Sequence, residues 1–196
     1  MTAVAAGLAD PVHDAQRAFR AVLDALARPG RRMTLAAPSH DLPLSSAAAQ
    51  CLLALADDDT PVWWQREAGA RAAWLRFHCG APRSAKPEGA RFALIDAPEE
   101  MPPLCAFDPG RAEFPEQSAT LVIELPSFDG GPALEWRGPG IRDSHTVALA
   151  GLPADFWSQW QANHAAFPQG VDVVFTCGGQ LLGLPRTTRV RRLEAV

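Results

Sequence analysis

Apolar positions change period several times along the chain. Over residues 13–28, Phe19, Val22, Leu23 and Leu26 recur at i, i+3, i+4 and i+7, the spacing of one helical face, with Arg17, Arg20 and Asp24 mainly on the other. Asp10-Pro11 supplies a start signal and Pro29-Gly30 a stop. Residues 45–55, rich in Ala and Leu, read as a second helix behind a serine N-cap. Asp57-Asp58-Asp59-Thr60-Pro61 is a polar turn that releases a short strand at 62–64, where alternation sends Trp63 and Trp64 to opposite faces and leaves one of them a candidate for exposure at an interface. Residues 70–78 have no clean period and are assigned to a helix. Residues 80–89, with Pro82 and Pro87, are a loop, 91–95 a strand, and 99–107 a stretch in which Pro102-Pro103 allows only a short helix.

The second half is richer in strands. Residues 119–125 form a strong one, connected through Asp129-Gly130-Gly131 to another at 133–136, with a further short strand at 145–148. Residues 154–165 read as a helix with Phe156, Trp157 and Trp160 on one face. Strands at 171–177 and 180–184 flank Gly178-Gly179, a strong hairpin signal, and 188–193 closes the chain as a strand. Helices and strands are mixed along the whole length, so the expected fold is a three-layer α/β arrangement with a mixed sheet. One domain over 1–196 is expected, with its core at 12–192 and a flexible stretch at 1–10.

Composition narrows the function classes. A net charge of −4 argues against a nucleic-acid partner, which would require clustered excess Lys and Arg. No run approaches the roughly 20 apolar residues of a membrane span, and residues 1–8 lack the charge and apolar core of a signal peptide. A cytoplasmic protein with reduced thiols follows as the expectation. Cys51, Cys79, Cys105 and Cys177 show no CxxC spacing; Cys51 and Cys177 sit in apolar runs that suggest burial. His13, His40, His145 and His164 form no metal-ligand pattern, so no metal is expected. Lys86, the sole lysine, lies in a polar loop broken by Pro87, a setting for a solvated amine rather than a Schiff base.

Three constellations carry candidate chemistry. Gly138-Pro139-Gly140-Ile141-Arg142 is a rigid loop in which two glycines are free to take positive φ, and Arg137 and Arg142 bracket it. It reads either as an anion cradle, with backbone N–H groups and guanidinium forks aimed at phosphate or phosphonate, or as a tight turn with solvated arginines. It matches neither GxGxxG nor the P-loop pattern. His78-Cys79 offers a general base and a nucleophile but no visible orienting group, leaving a packed histidine as the plainer reading. Arg186, in Leu184-Pro185-Arg186-Thr187-Thr188, is either a clamp that ties the last strand to the core or an anion contact. Arg189, Arg191 and Arg192 read as a solvated strand edge.

Four segments taken in order add a resemblance. They are residues 19–30 ending in Ala27-Arg28-Pro29-Gly30, then Leu75-Arg76-Phe77-His78-Cys79-Gly80-Ala81-Pro82, then Gly138-Pro139-Gly140-Ile141, and finally Phe167-Pro168-Gln169-Gly170-Val171-Asp172 with Leu184-Pro185-Arg186-Thr187-Thr188. The set resembles the PhnH subunit family of the bacterial carbon–phosphorus lyase system, over about residues 12–192. Gln169 departs from the family pattern, where Arg is more frequent. The resemblance implies a fold like that of pyridoxal-phosphate-dependent transferases without the cofactor lysine, and no cofactor. It implies a complex with PhnG-, PhnI- and PhnJ-type subunits that attaches a phosphonate to ribose triphosphate, displacing adenine from ATP, and a homodimer in isolation. A separate radical iron–sulfur subunit cleaves the C–P bond, and no catalytic residue carries over to this chain. Two alternatives stay open on the residues: a small-molecule enzyme built on His78, Cys79 and Arg142, and a phosphate- or nucleotide-binding module using the 138–142 loop.

Overall fold

A computed structural model describes residues 5–38 and 41–193, so His40 lies outside the described residues. Helix α1 runs Pro11–Ala27 and starts where its sequence chemistry directs: Asp10 accepts from the backbone N–H groups of Val12 (3.2 Å) and His13 (3.0 Å), and Pro11 needs no partner for a missing N–H. Helix α2 runs Ser46–Leu55, capped by the Ser45 hydroxyl accepting from Ala48 N–H. Helix α3 runs Gly69–Cys79 and ends on Gly80 in the left-handed region. Helix α4 runs Phe156–Ala165.

The strands are β1 Met33–Thr34, β2 Val62–Trp64, β3 Phe92–Ile95, β4 Thr120–Glu124, β5 Leu134–Arg137, β6 His145–Val147, β7 Asp172–Cys177, β8 Gln180–Leu184 and β9 Arg189–Arg192. Six of them form a mixed sheet in the order β1-β8-β7-β4-β3-β2. β2, β3, β4 and β7 are parallel neighbours; β8 folds back antiparallel on β7 across Gly178-Gly179, and β1 pairs antiparallel with β8. The fold is therefore α/β with a mixed sheet, as the alternation of elements predicts.

The central strands are buried on both faces, which is why they read as unbroken apolar runs. Ala93, Ile95, Leu121, Ile123, Val173 and Phe175 enter one core; Leu94, Val122 and Val174 enter the other. Helices α1, α2 and α3 supply the residues that cover the second face. The first face is covered by α4 and by a second, three-stranded antiparallel sheet of order β6-β5-β9. That sheet is not anticipated by the sequence: Asp129-Gly130-Gly131 carries the chain out of the main sheet, and β5 pairs with β6 and β9 instead. Trp136 on β5 and Trp160 on α4 are fully buried where the layers meet. With roughly 200 Å² of side chain each, they contribute about 5 kcal/mol apiece in transfer free energy.

Three local expectations change. The buried face of α1 is Ala18, Val22 and Ala25, while Phe19 and Leu23 are 48% and 56% exposed. The helix crosses β8 so closely that a Cβ on Gly183 would stand 2.6 Å from the Ala25 backbone, and only small side chains fit that seam. The one short helix expected within 99–107 is replaced by two 3-10 turns, Pro98–Glu100 and Leu104–Ala106, on either side of Pro102-Pro103. Trp63 and Trp64 do face opposite ways, but Trp63 is half-buried and packs edge-on against Phe107, with ring centroids 5.7 Å apart.

Candidate functional site

The Gly138–Gly140 turn joins β5 to the rest of the molecule at close quarters. Ile141 N–H donates to the Gly138 carbonyl at 3.1 Å, closing the turn, and the half-buried Ile141 side chain packs against the first core. Gly140 has φ +81°, and a Cβ there would stand 2.0 Å from the Ala27 carbonyl oxygen and 3.1 Å from Pro29 Cδ. Gly138 has φ +150°, and a Cβ there would stand 3.0 Å from the Thr187 carbonyl oxygen. The turn is thus wedged between the end of α1 and the segment before β9. Three of the sequence segments that stand out, 27–30, 138–141 and 184–188, interlock here.

Residues 167–172 join them through Arg186, which bonds Pro168 and Asp172. Its guanidinium uses all five N–H donors inside the protein. Nε donates to Asp172 Oδ1 (3.2 Å), one terminal nitrogen to the carbonyls of Pro115 (2.9 Å) and Pro168 (3.3 Å), and the other to Ser118 Oγ (2.5 Å) and Asp172 Oδ2. The backbone N–H of Arg186 also donates to Asp172 Oδ1 at 2.7 Å. The side chain is 12% exposed. Its backbone carbonyl meets His164 Nδ1 at 2.8 Å, and Trp160 Nε1 donates to the Thr188 carbonyl at 3.0 Å. Arg186 is therefore placed as a clamp across β7, α4 and the loop at 115–118. Asp172, which makes the clamp possible, closes the 167–172 segment in the sequence but carries no assigned role there. An aspartate opening a strand carries no local signal of a partner fourteen residues on. Gln169 donates to the Gly110 carbonyl at 2.9 Å.

A family model described as bacterial phosphonate metabolism protein (PhnH) matches residues 6–191, a span that contains the whole interlocked region. The chain belongs to the PhnH family. It is 41% identical over 189 residues to the alpha-D-ribose 1-methylphosphonate 5-triphosphate synthase subunit PhnH of Rhizobium meliloti (strain 1021), with 94% of each chain covered. It is 33% identical over 187 residues to the putative C-P lyase subunit protein HtxG of Stutzerimonas stutzeri, covering 89% of this chain and 85% of that protein.

In this PhnH-family chain the remaining candidates are dispersed. His78 on α3 is exposed; its Nε2 meets the Ala5 carbonyl at 3.0 Å, and its ring lies edge-on to Trp74 and Phe77. It seats residues 5–7 on α3, with Gly7 against the ring and Trp74 Nε1 donating to the Ala6 carbonyl at 3.2 Å. Its hydrogen bond goes neither to Cys79 nor to a carboxylate. Arg71 ties α3 to the β2–β3 edge through Asp96 (2.7 Å) and the Trp64 ring, whereas the 138–142 loop lies at the end of α1. His78 and Arg142 therefore belong to separate regions, and Arg142 points into solvent. Lys86 is exposed beside Glu88, at 3.6 Å. Among the described residues no three His, Cys, Asp or Glu side chains gather in a metal-binding geometry. The largely apolar cleft of about 310 Å³ between α4 and residues 103–109 contains none of these candidates.

The cysteines differ in environment. Cys51 is fully buried, and burial pushes its thiol up to about 12. Burial also raises Cys79, whose Sγ donates to the Leu75 carbonyl at 3.2 Å. Cys177, expected in the core, is half-buried, and Cys105 is exposed. A raised thiol pKa means less thiolate, the reactive form, so Cys51 is both enclosed and held as the thiol at pH 8. Brief iodoacetamide treatment of the native protein at pH 8, read by peptide mass spectrometry, will modify Cys105 first and leave Cys51 unmodified.

Proposed function

We propose that the chain is an accessory subunit of a carbon–phosphorus lyase core complex in organic phosphonate catabolism. It assembles in the cytoplasm with PhnG-, PhnI- and PhnJ-type subunits. There it supports formation of an alpha-D-ribose 1-(alkylphosphonate) 5-triphosphate from ATP and an alkylphosphonate. The observation that carries this reading is the 41% identity, over 94% of both chains, to a protein named as a subunit of the methylphosphonate triphosphate synthase. The separation of His78 and Cys79, on α3, from Arg142, at the end of α1, and the engagement of Arg186 as an internal clamp support a role in assembly rather than in the chemical step. Exposed Pro139, set between two closely packed glycines, and exposed Arg142 beyond the turn are suited to contact a partner.

We further read the chain as one domain, related in architecture to pyridoxal-phosphate-dependent transferases, and as a homodimer when isolated. The mixed sheet covered on both faces supports the architectural relation, and the solvated Lys86 is consistent with a member that does not bind that cofactor. Co-expression with tagged PhnG-, PhnI- and PhnJ-type subunits tests the assignment. Co-elution at fixed stoichiometry is the expected result; a chain that stays free beside an assembled remainder would end this reading.

A second reading is a phosphate- or nucleotide-binding module at the 138–142 loop. It is favoured by one observation, the exposure of Arg142 next to a turn with two positive-φ glycines. Calorimetry with ATP and alkylphosphonates on Arg142→Gln against the parent tests it, with loss of binding expected if the loop is the site.

A further inference from the structure

The outer face of the small sheet holds an arrangement of charge that folding alone does not favour. β5 and β9 are antiparallel neighbours, with Trp136 opposite Val190, both facing the core. Alternation sends Glu135, Arg137, Arg189 and Arg191 to the other face, where they line a cleft of about 450 Å³. The register sets Arg137 directly opposite Arg189 and Glu135 directly opposite Arg191. Directly opposed residues have Cβ atoms about 5 Å apart, and like charges at that distance destabilise a sheet. Glu135 offsets this only in part. It accepts from Arg137 at 3.0 Å and Arg191 at 3.1 Å, and these contacts, Arg137 first, hold its carboxyl below the usual range. Arg189 has no ion-pair partner among the described residues. Glu135 is the one carboxylate lining the cleft, and even with Asp143 also acting on Arg137 the three guanidiniums leave a positive surplus, in a chain whose net charge is −4.

A solvated strand edge accounts for arginines that point into water. It does not account for an Arg–Arg pair in direct register on one face of a cleft. Arg137 and Arg191 are 60% and 72% exposed, and each spends a terminal nitrogen on Glu135 while keeping further donors free. Guanidinium forks fit the oxygens of phosphate and phosphonate groups two at a time. The cleft has the volume of a small-molecule site, not of a groove that tracks a polymer.

We propose that this cleft binds a small polyanion bearing phosphate or phosphonate groups, held by Arg137, Arg189 and Arg191, with Glu135 orienting two of the three. The site shares Arg137 with the flank of the 138–142 loop but lies on the outer face of the small sheet, and it does not depend on the complex assignment. Inorganic triphosphate and methylphosphonate are the probes, titrated calorimetrically into the isolated full chain at low salt. Arg189→Gln and Arg137→Gln should each weaken triphosphate binding about tenfold, the worth of one charge-assisted contact. Glu135→Gln, which removes the competing negative charge while keeping an acceptor oxygen for Arg137 and Arg191, should tighten it. Arg189→Lys, keeping the charge without the fork, should fall between parent and Arg189→Gln, and it serves if Arg189→Gln fails to fold. Arg20→Gln on α1 controls for net charge. No binding of either probe overturns the proposal. So does equal weakening by Arg20→Gln, loss on Arg142→Gln instead of Arg189→Gln, or tighter binding of hexaglutamate than of triphosphate, which would mark an acidic segment of a partner as the occupant. Because only the isolated chain is assayed, these failures leave the co-elution result standing.

Discussion

Replacing Arg186 with alanine will lower the melting temperature by about 6–12 °C. The guanidinium is nearly enclosed and satisfies both oxygens of Asp172, the carbonyls of Pro115 and Pro168, and the Ser118 hydroxyl. Removing it leaves a carboxylate and three neutral acceptors facing a void. Breaking a buried ion pair from one side costs about 3–5 kcal/mol. Asp172 is 22% exposed, so the lower end, about 3 kcal/mol, applies here. In a domain of this size each kcal/mol moves the midpoint by about 2–4 °C. Arg186→Lys should recover part of the loss, because an ammonium keeps the charge but offers three donors where five are used. Scanning calorimetry of both variants decides the matter. A midpoint unchanged in Arg186→Ala would show that water replaces the clamp without cost. An anion-contact role predicts the converse: normal stability and lost ligand binding.

Gly140→Ala is the second large effect, expected at about 3 kcal/mol or more. Its Cβ would have to occupy a point 2.0 Å from the Ala27 carbonyl oxygen, so the turn and the end of α1 must separate. Forced overpacking costs about 1–3 kcal/mol and the left-handed backbone a further 1–2 kcal/mol for a residue with a side chain. Gly130→Ala isolates the second contribution, because Gly130 has φ +90° and a Cβ there would meet nothing within 4 Å. It should cost about 1 kcal/mol. Equal losses in the two variants, measured by chemical unfolding, would show that the close approach at Gly140 relaxes freely. A large difference identifies the turn as a packing element, and co-elution of Gly140→Ala with partner subunits should then fall only in proportion to its folded fraction.

The way these residues come together explains how much of the site could be read in advance. The 138–142 turn and the 184–188 segment stand out in the sequence because glycine and proline at such spacing are unusual. Their meaning depends on Ala27, more than a hundred positions away, whose carbonyl excludes a side chain at Gly140. Arg186 offers two readings in the sequence, clamp or anion contact. Asp172 and Ser118 fill its fork in the fold, and neither is marked by its neighbours. The arginines of β9 read as edge charges until the register sets Arg189 against Arg137. Such pairings join segments about fifty residues apart, and no local pattern encodes them.

By itself the sequence determined the features that local chemistry controls. Asp10-Pro11 starts α1, Ser45 caps α2, Gly178-Gly179 turns β7 into β8, and the apolar runs at β4 and β7 require a sheet buried on both faces. The order of its motifs also pointed to the PhnH family, which the match over residues 6–191 shows. Only the tertiary structure decided which face of α1 is buried, that β5 leaves the main sheet for a second one, and that Arg186 turns inward while Arg137 and Arg189 face one another in solvent. Caps, turns and alternation act over a few residues and are written in the chain. Burial of one helical face over another, and the partner of a charge, depend on which distant segment arrives beside it.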